Sequence, residues 1–145
     1  MKMKYEILPG EGLDTLRFGM EPEEIIRLIG QPDDKDMDDD EDFRSEMWMY
    51  EELQLTLFFQ GDEFQQLICL ECDHPETQLF GQRIFALSEK DITALMERNK
   101  GGLFESETEA WGEKRLSYDD WMMDFYFENG KLSTVNWSMV DEEED

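Results

Sequence analysis

The stretch CLECDH places three soft ligands, Cys69, Cys72 and His74, within six residues. Zinc takes four such ligands, or three and a water, and no second Cys or His cluster stands elsewhere in the chain to complete a structural site. A thioredoxin-like redox pair opens a helix, whereas this one lies at the end of a strand-like run. Cys69 is therefore expected as a small core hydrophobe. A second chemistry is suggested by DDKDMDDDEDF, Asp33 to Phe43, where Asp34, Asp36, Asp38 and Asp40 alternate as in the first half of a calcium loop. The second half fails: Asp39 holds the position that needs Gly, and Ser45 the position that needs a bidentate Glu. A solvated acidic loop is the expectation for this segment.

The only histidine sits beside Pro75, and the chain has no nucleophile elbow, phosphate-cradling glycine loop or HExxH. No catalytic residues, metal ligands or cofactor are assigned, and the chain is read as non-enzymatic. Carboxylate pairs are plentiful, so a carboxylate-based hydrolase is the alternative, beside a housekeeping protein whose acidity serves solubility.

Charge is the strongest compositional signal: 38 acidic residues against 13 basic give a net charge of -25 over 145 residues. Such a surface repels nucleic acid and anionic membrane and steers a basic protein toward it. The opening MKMKYEILPG has no apolar run of signal-peptide length, and no later stretch approaches the ~20 apolar residues that span a bilayer. Two cysteines three apart on one strand make no disulfide framework. A cytoplasmic location is expected on these grounds.

The elements that would position any surface come in two copies. Phe18, Gly19 and Met20 precede an acidic helix start at Glu21, with Ile25, Ile26, Leu28 and Ile29 at helical spacing. Sixty-seven residues on, Phe85 to Leu87 precede Ser88 and Asp91, then Ile92, Leu95 and Met96 at the same offsets. Pro22 suits a first helical position, and Ser88 with Asp91 approaches a capping box. With the shift grown to 68, Tyr50 faces Tyr118, and Leu53, Leu55, Leu57 and Phe59 face Trp121, Met123, Phe125 and Phe127, alternating as half-buried strands do. The turn Gln60 to Glu63 corresponds to Glu128 to Lys131, where Asn129-Gly130 is a hairpin signal. In the returning strands Leu67 is aligned with Val135 and Cys69 with Trp137. The expected domains are residues 1–72, a first repeat with an extra strand at Lys4 to Leu8; residues 82–140, a second repeat; and an acidic tail, 141–145. The fold class expected is α+β: two tandem helix-plus-antiparallel-meander repeats forming a sheet with helices on one face.

The segments FGMEPEEIIRLIGQPD, WMYEELQLTLFF and FQQLICLEC resemble the repeat of the β-lactamase inhibitor protein and the related BamE/SmpA outer-membrane assembly lipoproteins. The matching positions are Gly19, the Ile29-Gly30-Gln31-Pro32 stop, Trp48, Tyr50 and Phe59. The resemblance implies helices packed on one face of a sheet and a non-catalytic, protein-binding habit.

If Leu53, Leu55, Leu57, Phe59, Leu67 and Cys69 face the helices, the alternate positions face away. These are Phe58, Phe64, Ile68 and Leu70 in the first copy, and Met122, Asp124, Tyr126, Leu132 and Asn136 in the second. Aromatic and methionine side chains on a bare sheet face suggest a contact surface. The partner-binding set expected is Phe58, Phe64, Ile68, Met122 and Tyr126, with Asp119 and Asp120 as an acidic rim, and the expected partner is a basic protein, as an immunity protein or inhibitor would have. The incomplete ligand sets lead to a chemical expectation. Metal analysis of the purified protein should find no stoichiometric zinc, and calcium should bind no more tightly than about millimolar; one tightly held ion per chain contradicts this.

Overall fold

The computed structural model describes residues 3–39, 44–61, 65–110 and 112–140. In chain order, β1 (Ile7–Leu8), β2 (Gly12–Leu13) and β3 (Leu16–Arg17) form a small antiparallel sheet ahead of α1 (Pro22–Ile29). Strands β4 (Asp34–Asp39), β5 (Arg44–Tyr50), β6 (Leu55–Gln60) and β7 (Gln66–Cys72) follow as an antiparallel meander. A hairpin of β8 (Gln78–Leu79) and β9 (Gln82–Arg83) then leads through a 3₁₀ turn, Ile84–Ala86, to α2 (Glu89–Arg98). The second meander is β10 (Glu105–Thr108), β11 (Glu113–Tyr118), β12 (Met123–Glu128) and β13 (Lys131–Ser138). The two meanders join edge to edge into one eight-stranded sheet, ordered β10-β11-β12-β13-β7-β6-β5-β4.

This corrects the α+β expectation: the chain is mainly β, one large antiparallel sheet with only two helices among the described residues, of 8 and 10 residues. The error came from segments rich in polar residues. Of the segment Asp33 to Phe43, expected as a solvated loop, Asp34–Asp39 pairs along its length with β5, because an edge strand can turn both faces partly to water and tolerate charge, while residues 40–43 lie outside the described residues. The segment after α2 behaves alike, with β10 as the opposite edge. The expected N-terminal strand at Lys4 to Leu8 shrinks to Ile7–Leu8, and the acidic tail 141–145 lies outside the described residues.

Helix starts follow local chemistry. The Glu24 carboxylate accepts the Glu21 N–H at 3.0 Å, and Ser88 Oγ accepts the Asp91 N–H at 3.1 Å, so each helix has an otherwise orphaned donor satisfied at its first turn. The β12–β13 hairpin turns on Asn129 and Gly130 with φ of 53° and 82°, the left-handed pair that a two-residue turn between twisted strands demands.

Register decides which side chains are buried. In β6–β7, Leu57 pairs with Leu70 and Phe58 with Cys69, but Phe59 pairs with Leu67, leaving Ile68 as an extra residue. The second half does the same: Phe125 pairs with Val135, Tyr126 with Thr134, then Phe127 with Leu132, leaving Ser133 extra. A bulge of this kind reverses the inside–outside alternation beyond it. Leu70 and Leu132, expected outside, are therefore buried, and Cys69, expected in the core, stands on the outer face. It also resets the alignment of the halves: Leu67 matches Leu132 and Leu70 matches Val135, because the loop after β6 is three residues longer than the Asn129-Gly130 turn.

At the seam, Val135 pairs with Cys72 and Trp137 with Leu70. Since Leu70 matches Val135 and Cys72 matches Trp137, the same contact is made twice about a local two-fold between Glu71 and Asn136. The core fills one face in a single cluster that includes Trp48, Leu57, Phe59 and Leu70 from one half and Leu116, Phe125, Val135 and Trp137 from the other, with Ile25, Ile92, Leu95 and Met96 from the helices. Trp137 Nε1 donates to the Gly12 carbonyl at 3.0 Å, tying the N-terminal hairpin to the sheet. Gly12 has φ of 147°, and a Cβ there would lie 1.9 Å from the Leu16 carbonyl oxygen, so only glycine fits.

One matched pair of core residues is satisfied differently. Tyr50 OH donates to the Gly30 carbonyl at 2.7 Å, closing the end of α1. Position 97, the match of Gly30, still lies inside the longer α2, and the buried Tyr118 hydroxyl has no protein partner. Tyr50→Phe should therefore cost about 1 kcal/mol, whereas Tyr118→Phe should be neutral or stabilising, as read from denaturant midpoints. Burial also pushes the Tyr5 and Tyr118 phenols up to about 12 and raises Tyr50 and Tyr126, so all four tyrosines of the chain favour the neutral form when folded. Their contribution is complete below the unfolded value of about 10 and is lost as pH climbs above it. Tyrosinate absorbance should rise together with alkaline unfolding; ionisation of all four at about pH 10 in the folded chain contradicts the burial.

Candidate functional site: the outer face of the sheet

The face opposite the core is set by the same alternation. On β5, Trp48 and Tyr50 point inward, so Met47 and Met49 point outward, beside Phe58 and Thr56 of β6. The row continues across the sheet from Met47 to Phe58, Cys69 and Ser138. These side chains are half-buried, and Met47, Met49, Phe58 and Ile68 do not belong to the core cluster. A groove of about 540 Å³ lies here, floored by Met47, Phe58, Ile68 and Cys69 and edged by Asp36 and Asn136; Glu46 turns to the core side, where its carboxylate accepts the Trp48 Nε1–H at 2.8 Å.

A second row runs beside the first: Met49, Thr56, Glu71, Asn136, Asp124 and Ser117. Asn136 joins the two rows, its Oδ1 accepting from Cys69 Sγ at 3.4 Å and its Nδ2 donating to Glu71 Oε1 at 3.2 Å. Glu71 is shared by two shallow depressions of about 330 and 410 Å³, which together present Asp34, Glu51, Asp73, Glu113 and Glu128. No Lys, Arg or His lines the groove or either depression among the described residues. Arg115, on the same face, is already paired with Glu107.

The residues expected to bind a partner fall in separate places. Phe58 and Ile68 share the groove. Tyr126 is on the same face but across the seam, in one of the acidic depressions, with its phenol raised by burial. Met122, Asp119 and Asp120 form the β11–β12 turn, away from the strand ladder; Met122 has φ of 53°, and its carbonyl accepts from Ser138 N–H at 3.0 Å. That turn leans on the loop after α2, Trp121 Nε1 donating to the Lys100 carbonyl at 3.2 Å. Phe64 lies outside the described residues. Met47, Met49 and Glu71 were missed, though a signal existed: once Tyr50 is matched to Tyr118 as inward, period-two spacing puts Met47 and Met49 outside.

The soft ligands do not gather. Cys69 and Cys72, an odd number of residues apart on β7, are on opposite faces, and burial raises both thiols, which leaves them poor nucleophiles. Cys72 Sγ lies 3.2 Å from Thr77 Oγ1. His74 is stacked on Tyr5 with ring centroids 3.9 Å apart, and its Nδ1 accepts the Glu76 N–H at 3.1 Å. Among the described residues, no three His, Cys, Asp or Glu side chains are grouped so as to hold a metal ion.

No protein-family model and no curated protein matches the chain. A solved structure similar to it is that of an extracellular protein containing an SCP domain from Bacillus anthracis str. Ames, with a TM-score of 0.50 and 15% identity. The match covers 86% of this chain but 44% of that one, so the chain spans less than half of that protein's length. At this identity the likeness concerns the fold alone.

The division into core and outer face has a direct consequence for stability. Phe58 and Tyr126 are half-buried and outside the core cluster, so Phe58→Ala and Tyr126→Ala should each cost no more than about 1 kcal/mol, the range of cross-strand pairs on a sheet face. Leu57→Ala, one residue from Phe58 but fully buried, should cost about 2–5 kcal/mol. Equal losses at positions 57 and 58 in denaturant unfolding would place Phe58 in the core.

Proposed function

We propose that this chain is a non-catalytic protein-binding module that engages a basic partner through the outer face of its sheet. The observation that supports the reading most is the groove floored by Met47, Phe58, Ile68 and Cys69 and edged by Asp36 and Asn136, with the Glu71 carboxylate bonded to Asn136 beside it. Apolar side chains on a sheet face outside the core gain free energy when a partner removes them from water. The carboxylates around them, in a chain of net charge -25, favour a partner of opposite sign and speed its approach. Phe58 is the natural anchor, since hot spots are commonly aromatic and ringed by residues that exclude water.

The reading is tested with the immobilised full chain and native extract. A basic protein should be retained at low salt and released as salt rises. Phe58→Ala should weaken that complex by about 2 kcal/mol or more, mainly through faster dissociation. Asp36→Asn should instead slow association and flatten its salt dependence. If retention is the same on the Phe58→Ala chain, or no basic protein is retained, the outer face is not a docking surface.

A further inference from the structure

Resting on that reading, we infer that the occupant of this face is an extended segment of the partner that carries an apolar residue followed, two positions on, by a lysine or arginine. The argument starts from spacing along β7. Cys69 in the apolar groove and Glu71 in the acidic depressions are two residues apart on one strand, both on the outer face, and Asn136 is hydrogen-bonded to each. In an extended chain, side chains that face the same way also recur every second residue, with a rise of about 3.3 Å per residue. A segment lying along β7 thus places one side chain over Phe58 and Cys69 and its next same-facing side chain over Glu71. The first position is apolar. The second meets the carboxylates of Glu71 and Asp73 and no cation in the lining, which selects a basic residue.

Charge complementarity also excludes other occupants of the face. An acidic segment would meet like charge at Asp36, Glu71 and Asp73, and a second copy of this chain would bring another -25 to the contact. A purely basic segment would leave the groove floor in water. A helix repeats its facing side chains every three to four residues, so it does not match the two-residue step from Cys69 to Glu71.

The test uses three synthetic peptides and the full chain. The first peptide has leucine followed two positions on by lysine, repeated, with serine between. The second replaces each leucine by serine at the same charge, and the third replaces each lysine by glutamate. In calorimetric titration the first peptide should bind roughly tenfold or more tightly than the second, and the third should not bind. Phe58→Ala should remove most of the preference for leucine. Glu71→Gln, which keeps an acceptor for Asn136, should weaken the first peptide several-fold and reduce the salt dependence. Should Phe58→Ala prove unstable in a thermal melt, the Glu71→Gln arm and the comparison of peptides decide alone. Equal binding of the first two peptides would show that net charge alone attracts them and overturns the inference. Failure of every peptide to bind also overturns it, while Phe58-dependent retention of a folded basic protein would leave the broader reading standing.

Discussion

The pairing of Val135, Asn136, Trp137 and Ser138 with Cys72, Glu71, Leu70 and Cys69 is the contact on which the rest of this structure depends. A four-stranded meander on its own exposes two edges and half a core. Joined at β7 and β13, the two meanders hide their inner edges in each other, and Trp48 and Trp137 become parts of one hydrophobic cluster. Only β4 and β10 remain as edges of the large sheet. Both are charged, three of the four side chains from Asp34 to Met37 being ionisable and two of the four in β10 being glutamate, which discourages edge-to-edge association. The seam also puts Asn136 between Cys69 and Glu71, so the apolar and acidic parts of the outer face are hydrogen-bonded together at the local two-fold.

Matched positions diverge in a way that separates packing from surface. Inside, Tyr50 and Tyr118, Leu57 and Phe125, Phe59 and Phe127, and Leu67 and Leu132 are all large and buried. Outside, Met47 corresponds to Arg115, Met49 to Ser117, Cys69 to Thr134 and Glu71 to Asn136. A core position must fill its volume whatever else changes, because an unfilled void costs stability in proportion to its size. An outer position carries no such demand. The first half uses that freedom for an apolar groove and the second for a polar surface, which makes the outer face chemically asymmetric on a nearly symmetric backbone.

Much of this was legible in the sequence. The helix starts at Glu21 and Ser88, the alternation of Leu55, Leu57 and Phe59, the turn at Asn129-Gly130 and the match of Tyr50 with Tyr118 all rest on local rules with short range. Three things were not legible. The acidic stretch from Asp34 is a strand because β5 supplies its hydrogen bonds, a tertiary effect that overrides low strand propensity. The bulges at Ile68 and Ser133 reverse the facing of residues beyond them, so alternation carried past that point put Leu70 and Leu132 outside and Cys69 inside. The merger of two meanders into one sheet depends on a contact between residues more than 60 apart, which no local pattern encodes. Phe58, Ile68 and Tyr126 were placed on the outer face correctly because they lie before or at the bulges, whereas Met122 sits in a turn where strand alternation has no meaning.

The central claim is that a basic partner docks on the outer face of the sheet, and methionine methyl groups report on it directly. Met47 and Met49 lie on that face, Met96 and Met123 are in the core, and Met122 is exposed in the β11–β12 turn. In an NMR titration of methyl-labelled chain with the basic partner that the immobilised chain retains, the account predicts that Met47 and Met49 shift and broaden while Met122 stays in place. A shift of Met122 with Met47 and Met49 unmoved would contradict it.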